Sequence, residues 1–215
     1  TIIGNYAGFE LKGNETHGRH TIIGASAVYT MSGTTDSEYI TAIGAYSAYG
    51  AQTTKGFITI GNSAGYYLSG SGDAPLIIGG GAGKGVALGA WGTSNGVTMN
   101  EDVLIGQGGV CEYSEVLEHN TIVGSRAAGY LRSGTQNVAI GRFAMRYASG
   151  SNGTTGNVAI GQSAGHGIGQ FNKTGGSNYN IAIGYETQEK NLVGDRNIAI
   201  GYKVGIDGAS TADDI

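Results

Sequence analysis

Proline, cysteine and charge are all scarce in this chain: one proline, one cysteine and 13 % charged residues among 215. The single cysteine, Cys111, excludes an intrachain disulfide and a thiolate metal cluster within one chain. It reads as a small buried hydrophobe. Runs of lysine or arginine are missing and the net charge is only −4, so the electrostatic footprint of a nucleic-acid binder is absent. No segment approaches the roughly 18 consecutive apolar residues needed to cross a bilayer, which excludes membrane insertion of this segment by a helix. The start also lacks a charged, then apolar, then small-residue leader. Thr1 already lies inside a repeat, and the expectation is a fragment of a longer or processed fibre.

What is abundant is glycine, with 42 residues. They follow no collagen triplet period, and the 40 % hydrophobic content is too high for a disordered linker, so glycine is assigned to tight corners between short strands. An Ile-Gly or Val-Gly pair recurs with its glycine at positions 4, 24, 44, 61, 79, 106, 124, 141, 161, 184 and 201, at spacings of 17 to 27 residues. Such spacings are too short for independent domains and mark a stacked repeat array. The fold class that follows is all-β, a parallel β-solenoid (β-roll or β-helix) of about eleven short coils. Residues 1–215 form a single array, with 80–102 its largest irregular excursion.

Aligning the repeats on this glycine yields a position code. The preceding residue is always Ile or Val, and two places earlier stands Thr, Ile, Leu or Val; period-two alternation puts these two positions on one face, assigned to the interior. The residue between them then faces outward: Ile2, Ile22, Ala42, Ile77, Leu104, Ile122, Ala139, Ala159, Ala182 and Ala199, with Thr59 in the fourth repeat. An apolar strip of that length on a rod requires a cover, and an identical chain related by cyclic symmetry is the simplest one. Three residues after the glycine comes a second small position, filled by residues such as Ala27, Ser47, Ala64, Ala127, Ala144 and Ala164, where the opposite wall is expected to approach closely.

The segments Asn137-Val138-Ala139-Ile140-Gly141, Asn157-Val158-Ala159-Ile160-Gly161, Asn180-Ile181-Ala182-Ile183-Gly184 and Asn197-Ile198-Ala199-Ile200-Gly201 resemble the repeats of phage and giant-virus tail fibres. They are also similar to the head repeats of trimeric autotransporter adhesins. The tail-fibre version is the closer match, because Ala64-Gly65-Tyr66 and Ala128-Gly129-Tyr130 supply its small-Gly-aromatic element and Thr34, Thr135, Thr154 and Thr174 mark loops between repeats. The resemblance covers essentially the whole chain. It implies a left-handed, trimeric rod on a virion or cell surface. The early repeats depart from the pattern, with Thr or Ile replacing the Asn-Val-Ala opening, and no intramolecular chaperone domain is visible.

Catalytic and cofactor chemistry finds little footing. A glycan-cleaving site needs two carboxylates about 5 to 10 Å apart, and Asp36 with Glu38, Glu101 with Asp102, Glu112 with Glu115 and Asp213 with Asp214 each read as a solvated acidic turn. His17 and His20 lack a completing metal ligand, and the Gly-x-x-Gly strings lack the lysine and helix of a phosphate loop. No outward Thr pair repeats as an ice-binding ladder requires. The expectation is therefore no enzyme, no metal and no cofactor.

Binding remains. Aromatics recur at Phe9, Tyr29, Tyr49, Tyr66 and Tyr147, read mainly as a ladder closing one edge of the coil. Trp91, Tyr67, Tyr113, Tyr130 and Tyr147 are the candidate receptor contacts, Trp91 first because it sits in the irregular excursion. The expected function is a structural and adhesive segment of a homotrimeric extracellular or virion tail fibre, presenting loops to a host surface glycan or protein. The alternatives are an adhesin head, a glycan-processing tailspike segment and a passive spacer.

Overall fold

The computed structural model describes residues 1–12, 19–32, 39–51, 56–66, 75–81, 98–107, 116–131, 133–148, 153–168, 177–189 and 194–205. The architecture is an all-β parallel solenoid. Its main sheet holds eleven strands in chain order: Ile2–Ile3, Thr21–Ile23, Ile40–Ile43, Phe57–Ile60, Leu76–Ile78, Val103–Ile105, Thr121–Val123, Val138–Ile140, Val158–Ile160, Ile181–Ile183 and Ile198–Ile200. Every neighbouring pair is parallel and in equivalent register, so Ala139 lies beside Ala159 and Ala159 beside Ala182. Each recurring Ile-Gly thus contributes one strand. A four-stranded parallel sheet (Thr98–Asn100, Val116–Glu118, Ser133–Thr135, Thr154–Thr155) and a two-stranded one (Glu10–Lys12, Thr30–Ser32) run alongside.

The period-two reading of the strand holds, but its phase is the reverse of the expectation. The central residues assigned to an outer strip are interior: Ile22, Ala42, Ile77, Leu104, Ile122, Ala139, Ala159 and Ala182 are fully buried, and Ala199 nearly so. Ile2 alone is half exposed, in the first strand of the sheet. The flanking residues, assigned to the core, face outward, as in Ile140 and Ile198. The reason is the thinness of the coil. The small position after the glycine corner is also buried, at Ala27, Ser47, Ala64, Ala127, Ala144 and Ala164, so the two walls meet through short side chains and leave no room for a ladder of two large residues per strand. Each fully buried Ile of the early coils contributes about 1.5–3 kcal/mol.

The corners depend on glycine. In Gly141 φ is +132°, and a Cβ placed there would strike the carbonyl of Gly161 in the next coil. The same approach links Gly4 to Gly24, Gly24 to Gly44 and onward, giving a column of glycine backbones in contact. Beyond the corner the chain uses the left-handed region again at the second and fourth positions, with side chains at Ser26 and Val28, Arg126 and Ala128, and Phe143 and Met145. Their N–H groups bond to adjacent coils, Ser26 to the Asn5 carbonyl and Val28 to the Ser47 carbonyl, which satisfies the backbone that the bend removes from the sheet.

Polar groups enter the interior as matched sets. A ladder runs from Asp102 through Asn120, Asn137, Asn157, Asn180 and Asn197, all buried. The Nδ2 of Asn157 donates to Asn137 Oδ1 at 3.1 Å and to the Ser177 carbonyl at 2.8 Å, while its Oδ1 accepts from the N–H and Nδ2 of Asn180. Asp102 starts this ladder, its Oδ1 accepting the N–H and Nδ2 of Asn120 at 2.8 and 2.9 Å. The expectation of a solvated acidic turn at Glu101 and Asp102 is corrected for Asp102: it stands where later repeats have Asn, and only its neighbour Glu101 is exposed. A second set is Thr59, the polar residue in the central strand position, whose hydroxyl accepts a 2.8 Å bond from Ser47 Oγ.

Two outcomes follow. Gly141→Ala should destabilise the fold by about 3 kcal/mol or more, combining backbone strain with a steric clash. Gly80→Ala, where an added Cβ meets nothing within 4 Å, should change it little; equal denaturation midpoints for the two variants would contradict the corner argument. Ser47→Ala should cost about 1–3 kcal/mol by leaving the buried Thr59 hydroxyl unpaired, and adding Thr59→Val should recover much of that loss. Chemical denaturation of the single and double variants measures the coupling.

Candidate interaction surface

Two surfaces stand out from the walls of the solenoid. The first is the outer face of the main sheet. Its two columns run through Thr21 and Ile23, Thr41 and Ile43, Ile58 and Ile60, Leu76 and Ile78, Val103 and Ile105, and Thr121 and Val123 to Val138 and Ile140, Val158 and Ile160, Ile181 and Ile183, and Ile198 and Ile200. All are partly or largely exposed, reaching 63 % for Ile200. No charged residue interrupts either column. The face is therefore wider than the single strip inferred from sequence, with two columns of mostly larger side chains, and it is built from the residues first assigned to the core.

The second surface is aromatic. Five residues after their corner glycines, Phe9, Tyr29, Tyr49 and Tyr66 stack face to face, with centroids 5.2, 5.0 and 4.9 Å apart. Coil stacking sets this spacing, since strands lie about 4.8 Å apart. Tyr6 meets Phe9 edge-on at 5.5 Å, and Tyr46 tilts against Tyr49 at 5.8 Å. The expected edge ladder is present here. Because each inner ring face is covered by the next ring, what these tyrosines offer a partner is edges and hydroxyls.

Among the candidate receptor contacts, Tyr130 and Tyr147 come together in a second stack at 5.0 Å, and Tyr147 meets the His166 ring edge-on at 4.9 Å. Trp91, Tyr67 and Tyr113 lie outside the described residues, as do Cys111, His17 and most of the 80–102 excursion. Sequence reasoning passed over the groups gathered around this second stack. Arg142 lies over the Phe143 ring at 4.3 Å, and Arg146 approaches Phe143 at 4.7 Å, Tyr147 at 4.9 Å and Tyr130 at 5.7 Å. The signal was there in Arg142-Phe143-Ala144-Met145-Arg146, a corner segment with two arginines around an aromatic.

A third group closes the last described coil. Tyr185 and Tyr202 stack at 5.4 Å, and Lys203 Nζ lies 3.2 Å from Glu186. A hydrogen bond from Tyr185 holds the Glu186 carboxyl below its usual range, and Glu186 in turn raises Lys203. All three groups are solvent-facing, so this is a surface cluster. Among the described residues, no three His, Cys, Asp or Glu side chains gather as a metal site. Comparison with protein families, with curated proteins and with solved structures finds no match.

His166 is held below its ordinary value of 6.5, first by burial and then by Arg146, with Glu189 acting in the opposite direction. A depressed histidine favours the folded state while neutral, so its contribution is present above pH 6.5 and declines as acid protonates the unfolded chain preferentially. Thermal midpoints should therefore fall between pH 7.5 and 5.5, and His166→Gln should flatten part of that slope. An unchanged slope in the variant would count against the assignment. His20, also lowered by burial, acts in the same direction.

Proposed function

We propose that this chain is a structural and adhesive segment of a homotrimeric extracellular fibre, of the phage or viral tail-fibre kind, acting at a host surface by binding rather than catalysis. The observation that carries this reading is the uncharged, largely apolar outer face of the eleven-stranded sheet. Surface patches of this extent mark interaction sites. A strip that runs parallel to the stacking direction suits parallel copies around a common axis, each presenting the same face inward. Eleven strands at about 4.8 Å make a contact roughly 50 Å long.

The resemblance of the Asn-Val-Ala-Ile-Gly segments to tail-fibre repeats supports three copies, and the aromatic stacks, outside the apolar face, are then left within reach of a host glycan or protein. An adhesin head shares this physics and differs in what it is attached to.

Light scattering coupled to size-exclusion chromatography tests the assembly. Three chain masses are expected for the parent. Ile140→Lys combined with Ile160→Lys should shift the mass to a monomer, because two lysines at adjacent positions of one column put unpaired charge into the contact. A parent that remains monomeric at micromolar concentration would remove the trimer.

A further inference from the structure

We propose that Arg142, Phe143 and Arg146, with Tyr130 and Tyr147 beside them, form a binding surface for an acidic glycan, one whose sugars carry carboxylates. The proposal rests on the adhesive reading above and specifies the ligand chemistry of one wall of the solenoid.

The presentation is rigid. Ala144 and Met145 are fully buried, which anchors the segment between the two arginines. Phe143 N–H bonds to the Ser125 carbonyl at 3.1 Å, Tyr130 N–H to the Arg146 carbonyl at 2.8 Å, and Tyr147 N–H to the His166 carbonyl at 2.9 Å, tying the segment to the coils on both sides. Phe143 is itself in the left-handed region, at φ +62°, a conformation that the corner imposes on it. The backbone that carries the ring and the guanidinium groups is thus fixed by the repeat itself, which reduces the ordering needed when a ligand arrives.

The charge arrangement points to an anion. Two guanidinium groups lie within 5 Å of the same Phe143 ring centroid, and no acidic side chain among the described residues is within salt-bridge distance of either. In a chain of net charge −4, this is a local excess of positive charge held in place by stacking. Glu189, which influences His166, acts against Arg146 on that ring without pairing with either arginine. A guanidinium stacked on an aromatic face keeps its N–H edge available for a bidentate bond to a carboxylate. An anion placed between the two also relieves their mutual repulsion. Arg126, exposed one coil earlier at the position Phe143 occupies after its own glycine, extends the positive surface along the rod.

The rings decide which kind of anion fits. Tyr130 and Tyr147, stacked on one another, offer partly exposed ring edges and hydroxyls next to the cations, suited to the hydroxyl groups of a sugar. A nucleic acid is a poorer occupant: affinity there grows with the number of phosphates neutralised, and this cluster supplies only two stacked arginines and one neighbour.

Affinity gel electrophoresis of the full chain through polygalacturonate, neutral dextran and duplex DNA tests the surface. Polygalacturonate should retard the protein, less so as salt rises, and dextran should not. Arg142→Gln with Arg146→Gln should weaken that binding about tenfold or more while leaving the thermal midpoint and the assembled mass unchanged. Phe143→Leu should weaken it with all charges retained. No retardation by polygalacturonate, binding unaltered in the double arginine variant, or equal or tighter binding to DNA would each overturn the proposal. The two readings separate cleanly: a trimer that ignores polygalacturonate loses this surface and keeps the fibre, and a monomer that binds it through these arginines does the reverse.

Discussion

Contact between glycine backbones at the corners is the constraint from which the rest of this molecule follows. With no Cβ at Gly4, Gly24, Gly44 and their successors, each coil can turn on the backbone of the next, at φ near +130°. That places strands in equivalent register. Register then aligns everything else, because a residue at a given distance from the glycine lies above its counterpart in the neighbouring coil. The asparagine ladder, the phenylalanine and tyrosine stack and the two outer columns are three readings of one translation.

The same translation explains why polar and aromatic groups are tolerated in unusual places. An isolated buried asparagine is costly, but Asn137, Asn157 and Asn180 each satisfy the next, so the ladder is saturated along its length. Buried Thr59 is matched by Ser47 in the preceding coil, where most repeats have Ala. Substitutions in such a fold are therefore felt by neighbours at the same repeat position more than by residues nearby in sequence.

Much of this was legible in the residues themselves. The recurring Ile-Gly gave one strand per repeat, and the smallness of Ala27, Ala64, Ala127 and Ala144 announced a close approach of walls. The phase of the strand was misread because β-branched Ile and Val normally mark a core, whereas this coil is too thin to contain both. Ala139, Ala159, Ala182 and Ala199 held the answer, since four alanines at one position fit a narrow interior better than an oligomer strip. Asp102 was misjudged for a related reason: beside Glu101 it looks like an acidic turn, and only alignment with Asn120 and Asn137 reveals its place in a ladder. The arginine and phenylalanine cluster was only partly legible: Arg142, Phe143, Arg146 and Tyr147 stand together in one corner segment, whereas Tyr130 joins them from the preceding coil through the stacking of repeats.

Ala159 faces the interior, and in the proposed trimer its exposed neighbour Ile160 faces identical chains. Oxidative cross-linking decides it. With Cys111 replaced by Ser, a lone cysteine introduced by Ile160→Cys should form disulfide-linked dimers with a third chain left unlinked, the pattern of three equivalent thiols around one axis. Ala159→Cys should remain unlinked and slow to alkylate. Efficient cross-linking through position 159, with position 160 inert, would contradict the account.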